Sequence, residues 1–205
     1  MSRPVAAAHA GDLDPERIRE RVKELLARDA EAAFLRRASR RQYEAAREAA
    51  PDAVHHERSG LVVLARPRPR PCSHVPHPVA VVSAGTADLP VAEEALVAAG
   101  TFGLSATLTA DVGVAGLHRL LAVREELDRA RLLIVVAGMD GALPSVVAKV
   151  SSRPVVAVPT SVGYGSSDGG LAALAALLAS GAPGLAVTGI DDGLGAADLA
   201  RRLLA

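Results

Sequence analysis

Five short apolar runs, at residues 79–82, 104–108, 132–136, 155–158 and 185–188, are each followed by a segment of helical length. This alternation limits the fold more than any other feature. Continuous Val, Leu and Ile runs without polar alternation read as strands buried on both faces, and strands separated by helices run parallel. The helices are read at 91–99, 114–130, 143–150, 170–180 and 196–204. The expected architecture is α/β, a doubly wound parallel sheet, in which ligands gather at the carboxyl ends of the strands.

Half of the 205 residues are hydrophobic, yet there are only two Phe, two Tyr and no Trp. The core must therefore be built from closely packed Ala, Val and Leu. Ahead of the main domain, Asp14-Pro15-Glu16 marks a helix start, with a capping carboxylate and proline in the first turn. Ile18, Val22, Leu25 and Leu26 follow on one face, predicting a helix over 15–28. A second charged helix is expected from Glu31 or Gln42 to Ala49, and a short strand at 61–64. Residues 1–11 are expected to be disordered. Residues 66–78 alternate Pro with Arg, Ser and His, a linker of polyproline character. Three segments result: a small helical N-terminal region (1–65), the linker (66–78) and the main domain (79–205).

Net charge is zero, but residues 1–77 carry 15 Lys/Arg against 11 Asp/Glu. Nucleic acid is not the expected partner of this mild basic excess, because so few aromatics are available to stack on bases. The single cysteine, Cys72, excludes an intrachain disulfide and a cysteine-built zinc site. His55, His56, His74 and His77 lack ligands at metal-binding spacing, so no metal is expected. Met1–Ala10 lacks a long apolar segment and the apolar run at 171–179 is too short to span a bilayer, so a cytoplasmic location away from membranes is the expectation.

The chemistry is expected in the turns after the strands. Ser83-Ala84-Gly85-Thr86-Ala87-Asp88-Leu89-Pro90 runs from a strand into a helix through small residues. Small side chains let backbone N–H groups approach an anion, and the helix start favours negative charge there. Similar turns recur at 137–141, 159–170 and 190–195. Neither the dinucleotide-binding glycine pattern nor a phosphate-loop lysine is present. His118-Arg119, at a glycine-rich corner, pairs a proton-transfer group with a cation able to clamp a carboxylate or phosphate. Asp140 is a candidate acid, and Tyr164 with Ser166-Ser167 forms a candidate lid.

In order along the chain, the segments at 82–95, 111–121, 135–147, 158–165 and 189–197 resemble LarB, the carboxylase and hydrolase of nickel-pincer cofactor synthesis, within the aminoimidazole ribonucleotide (AIR) carboxylase, or PurE, superfamily. The resemblance implies a flavodoxin-like domain and a homo-oligomer, from dimer to octamer, with sites at subunit contacts. It implies a nucleotide substrate derived from NAD, with CO2 or bicarbonate as co-substrate and no further cofactor. By this resemblance Ser83, Gly85, Thr86 and Asp88 form the phosphate- and ribose-binding turn. Arg119, Gly138, Gly141, Ser161, Tyr164 and Gly165 complete the substrate contacts.

Two departures stand out. Asp140 replaces the glutamate of LarB, and Ala179-Ser180-Gly181-Ala182 replaces a segment carrying the cysteine that attacks the pyridinium ring. Gly181 has no side chain, and the Ser180 hydroxyl is a much weaker nucleophile at neutral pH. The expected enzyme uses His118 and Asp140 as acid/base groups, with Ser180 as the nearest substitute for the thiol. It carboxylates or decarboxylates a pyridine-type ribonucleotide without covalent catalysis. The alternatives are N-glycosidic or phosphoanhydride hydrolysis of such a nucleotide, and a non-catalytic nucleotide-binding paralogue.

Overall fold

The computed structural model describes residues 4–65, 78–163 and 168–205. The chain divides into two compact units, Met1–His74 and Val75–Ala205. Cys72, His74, His77, Tyr164, Gly165, Ser166 and Ser167 lie outside the described residues, as does nearly all of the Pro-rich linker.

The first unit runs β1 (Ala6–His9), α1 (Pro15–Ala27), β2 (Ala33–Arg36), α2 (Arg40–Ala49), β3 (Val54–His56) and β4 (Leu61–Ala65). Asp14 caps α1 by accepting from the Arg17 N–H at 2.9 Å, and Ser39 with Gln42 forms a reciprocal capping box on α2. Where the sequence pointed to a small helical region, the unit holds a four-stranded sheet in the order β1-β2-β4-β3. Residues 6–9, expected to be disordered, pair in parallel with 33–36. Strands of three or four residues rich in alanine have little local preference for extended backbone, and only their partners hold them in place. The sheet buries Ala6, Ala33, Leu35, Val62 and Leu64 against Ile18, Val22 and Leu25 of α1 and Ala45 and Ala46 of α2.

The second unit begins with β5 (Pro78–Ser83), a 3₁₀ turn (Thr86–Asp88) and α3 (Leu89–Thr101), then β6 (Ser105–Thr109). A second 3₁₀ turn (Val114–Gly116) leads to α4 (Leu117–Ala122) and α5 (Arg124–Arg129). The chain continues through β7 (Leu132–Ala137), α6 (Ala142–Val150), β8 (Val155–Pro159), α7 (Leu171–Leu178), β9 (Leu185–Val187) and α8 (Gly193–Leu204). The helix expected over 114–130 is broken at Val123, which separates α4 from α5.

All five strands are parallel, in the order β6-β5-β7-β8-β9. This is the flavodoxin-like order, whose direction of winding reverses between β5 and β7. Alternation along the strands splits the core. Val79, Val81, Ile134, Val136, Val156 and Val158 pack on α3 and α8. On the other face Ala80, Val82, Leu133 and Val135 pack on Leu120, Leu127, Leu143 and Val147 of α4, α5 and α6. Small side chains let the layers approach closely: a Cβ added at Gly193 would lie 2.5 Å from the Val91 carbonyl oxygen. Among the described residues no helix is long and apolar enough to cross a membrane, and no group of three or more His, Cys, Asp or Glu is placed to hold a metal ion.

Candidate active site at the strand switch point

The winding reversal puts the carboxyl ends of β5 and β7 side by side, and the turns after them form the candidate site. Asp88, in the first 3₁₀ turn, is almost fully buried there. Its Oδ2 accepts the Gly85 N–H at 3.0 Å. Its Oδ1 accepts the Gly138 N–H at 3.1 Å and the Thr160 hydroxyl at 2.8 Å. One carboxylate thus ties together the ends of β5, β7 and β8. Burial raises its pKa above the ordinary value near 3.8, and Asp191 nearby adds to the rise. The bonds from Thr160, Gly85 and Gly138 oppose that shift by stabilising the charged form.

Backbone donors in the other turns also have acceptors within the protein. At the β7 turn the Gly138 N–H is taken by Asp88, that of Met139 by the Val162 carbonyl (3.2 Å), that of Gly141 by the Gly138 carbonyl (2.9 Å), and that of Ala142 by Asp140 Oδ1 (3.2 Å). At the β8 turn Thr160 N–H donates to the Ala137 carbonyl, and Ser161 N–H donates to Asp191 Oδ1 at 2.7 Å. Leu194 and Gly195, opening α8, are capped by Glu94 (3.1 Å) and Asp192 (3.0 Å). In these three turns carbonyls and the protein's own carboxylates accept from several of the described backbone donors. The β5 turn differs: Thr86 and Ala87 are exposed and open the helical segment, where N–H groups have no acceptor within the helix.

Ser83 is fully buried, and among the described residues its hydroxyl has no hydrogen-bond partner. It lies beneath the site's surface. Val112 N–H donates to the Ser83 carbonyl (3.2 Å) and Gly113 N–H to that of Ala84 (3.0 Å), so the loop after β6 leans on the β5 turn. That loop carries Asp111, at a positive φ of 60°, whose Oδ2 pairs with Arg119 Nη1. His118 and Arg119 are both exposed on α4 at this carboxyl edge. Asp140 is exposed after β7, at the same edge.

Ser180 is placed otherwise. It follows α7, accepts from the Ser145 hydroxyl at 2.9 Å and from the Ala182 N–H at 3.2 Å, and so closes its own loop. Beside it, a Cβ at Gly181 would meet nothing within 4 Å. Thr160 and Asp191 were missed by sequence reasoning. Thr160 lies 72 positions from Asp88 in the chain, and nothing local marks the pair. A surface cavity of about 440 Å³, lined by His9, Arg17 and Arg21 among others, belongs to the first unit. It has no counterpart in the strand-end chemistry.

An uncharacterized protein of Methanocaldococcus jannaschii is 45% identical over 120 residues, covering 58% of this chain and 46% of that protein. The chain thus matches less than half of that relative's length. The N5-carboxyaminoimidazole ribonucleotide mutase of the same organism is 36% identical over 135 residues, covering 62% of this chain and 78% of the mutase. The family model for AIR carboxylase matches residues 78–205, the whole described parallel-sheet domain with its Asp88 tie at the switch point, and the chain belongs to the AIR carboxylase family.

Proposed function

We propose that this chain moves a carboxyl group on or off a nitrogen-heterocyclic ribonucleotide without covalent cysteine catalysis, and that the ring is of pyridine type, derived from NAD. The AIR carboxylase match across residues 78–205 carries this reading. The β5 turn supports it, because Thr86 and Ala87 are exposed small residues past which a phosphate can approach the backbone. Arg119 is held by Asp111 at the same edge and presents a guanidinium suited to a carboxylate. In carboxylation a ring carbon bonds to CO2 and gives up its proton to His118; decarboxylation returns that proton as CO2 leaves. Asp140 orients the ring's polar substituents. With Gly181 at the position of the LarB cysteine, no enzyme–ring bond forms, so the ring must already be electron-rich, as the enamine of a dihydropyridine is and a pyridinium is not.

A second reading, with an aminoimidazole ring, is favoured by the 36% identical N5-carboxyaminoimidazole ribonucleotide mutase. The protein acts as a homo-oligomer in either case; α7 carries no charged residue and exposes Leu171 (53%) and Leu178 (68%), as a helix covered by another subunit would. Mass spectrometry after incubation with bicarbonate and either the reduced, dihydropyridine form of nicotinic acid mononucleotide or 5-aminoimidazole ribonucleotide tests the proposal. A gain of one carboxyl group, or its loss from the carboxylated nucleotides, supports it and identifies the ring. Release of a free base without added carbon would replace it with hydrolysis.

A further inference from the structure

The loop after β6 is fastened to the β5 turn and carries its own means of aiming a cation. Val112 N–H donates to the Ser83 carbonyl (3.2 Å) and Gly113 N–H to that of Ala84 (3.0 Å). A Cβ at Gly113 would stand 2.9 Å from the Ala84 carbonyl oxygen, so the two turns are in close contact. Asp111, just ahead of them, takes a positive φ of 60°, and its Oδ2 accepts from Arg119 Nη1. Arg119 is on the first turn of α4, and helical side chains lean back over the residues before them. Three positions back is Gly116, where a Cβ would lie 2.5 Å from Arg119 Nε, 2.7 Å from Nη2 and 2.9 Å from Cζ. Any side chain at 116 would therefore displace the guanidinium. Gly116 has a φ of −119°, outside the left-handed region that favours glycine, so the missing side chain makes room rather than relieving the backbone. An exposed ion pair by itself holds two side chains loosely. Here the pair and the glycine notch act on the same guanidinium, one at Nη1 and the other along its Nε–Nη2 side.

We infer that Asp111 and Gly116 are positioning residues, which fix the direction of the Arg119 guanidinium toward a carboxylate on the ligand's ring. The inference rests on the ribonucleotide reading above and adds to it what aims the cation. Its sign is informative. Asp111 is an anion beside the cation the ligand needs, so a side chain that only competed for Arg119 would weaken the binding of a carboxylate. A positioning residue strengthens it, because a guanidinium already oriented loses less freedom when the ligand arrives.

Isothermal calorimetry on the full chain tests this with ligand pairs that differ only in a ring carboxylate or carboxamide. The pairs are the dihydropyridine forms of nicotinic acid and nicotinamide mononucleotides, and the 4-carboxylate and 4-carboxamide of 5-aminoimidazole ribonucleotide. Wild type is expected to prefer the carboxylate. Asp111→Asn and Gly116→Ala should each weaken its binding about tenfold, the size of one charge-assisted hydrogen bond, with carboxamide binding unchanged. Asn tolerates the positive φ and the exposed Arg119 can move aside, so melting temperatures should stay near wild type. In an Arg119→Ala background neither change should have any further effect. Tighter or unchanged carboxylate binding in Asp111→Asn, or no carboxylate preference in wild type, overturns the inference. Equal loss of both members of a pair in Gly116→Ala, or a loss that persists without Arg119, overturns it too, by assigning Gly116 to the packing of the loop. In each of these cases wild-type binding leaves the ribonucleotide reading standing. If wild type binds none of the four probes, that reading fails and the positioning role falls with it.

Discussion

The Thr160 hydroxyl donates to Asp88 Oδ1 at 2.8 Å, joining the end of β8 to the turn that opens α3. The same oxygen accepts the Gly138 N–H, so the spacing of the turns after β5, β7 and β8 depends on one carboxylate. With the Gly85 N–H on its other oxygen, Asp88 joins three strand-end turns at the candidate site.

Asp88→Asn would keep the shape but point an NH2 group at a donor, leaving buried groups unpaired. The expected loss is about 2–3 kcal/mol of stability, read by urea denaturation. Thr160→Val removes one of the three bonds and should cost about 1–2 kcal/mol.

Asp88 also gives the protein an unusual pH response. Its folded pKa is raised above 3.8, chiefly by burial, so between 3.8 and the raised value the folded state holds more proton than the unfolded chain. Its contribution is therefore fully present below 3.8 and declines as pH rises through the folded value, the reverse of a salt-bridged carboxylate. Denaturation of wild type and Asp88→Asn across mildly acidic pH should show wild type's advantage over the variant shrinking as pH rises, then levelling. An advantage that grows through this window would contradict the assignment.

Two glycines separate packing from permissiveness. A Cβ at Gly138 would fall 2.0 Å from the Val162 carbonyl oxygen and 2.5 Å from Thr160 Oγ1. Gly138→Ala is expected to cost about 3 kcal/mol or to prevent folding, through overpacking. Gly181 faces open space, so Gly181→Ala and Gly181→Cys should stay within ~0.5 kcal/mol of wild type in thermal melts.

His118 and Asp140 are exposed, so replacing them tests chemistry more than folding. His118→Ala is expected to lower turnover of the carboxylated nucleotide by about 10²–10⁴-fold, as loss of a general acid/base does, with an unchanged melt. Arg119→Ala should raise KM more than it lowers kcat. Its exposed pairing with Asp111 is worth only about 0–1 kcal/mol to the fold.

Ser180→Ala distinguishes a loop-closing hydroxyl from a nucleophile. The contacts to Ser145 and Ala182 predict a stability loss of about 1 kcal/mol with turnover retained. Loss of turnover at unchanged stability would instead assign Ser180 to the reaction.

The periodicity of residues 78–205 determined the parallel, doubly wound sheet, because buried strands must be apolar throughout and crossover helices leave a 3.6-residue pattern. It also placed the glycine-rich turns at the strand ends, and Asp14-Pro15-Glu16 marked the start of α1. Three things needed the tertiary structure. The short strand at 61–65 was legible, but those at 6–9, 33–36 and 54–56 are held by pairing with other strands and no local signal announced them. The break at Val123 divided a segment whose composition reads as one continuous helix. Which turn amides are already bonded within the protein depends on where Asp88, Glu94, Asp191 and Asp192 send their oxygens, and three of those bonds cross 30 or more positions of sequence. Hydrogen-bond donors are used up in space, so sequence adjacency shows where they arise but not whether they remain available.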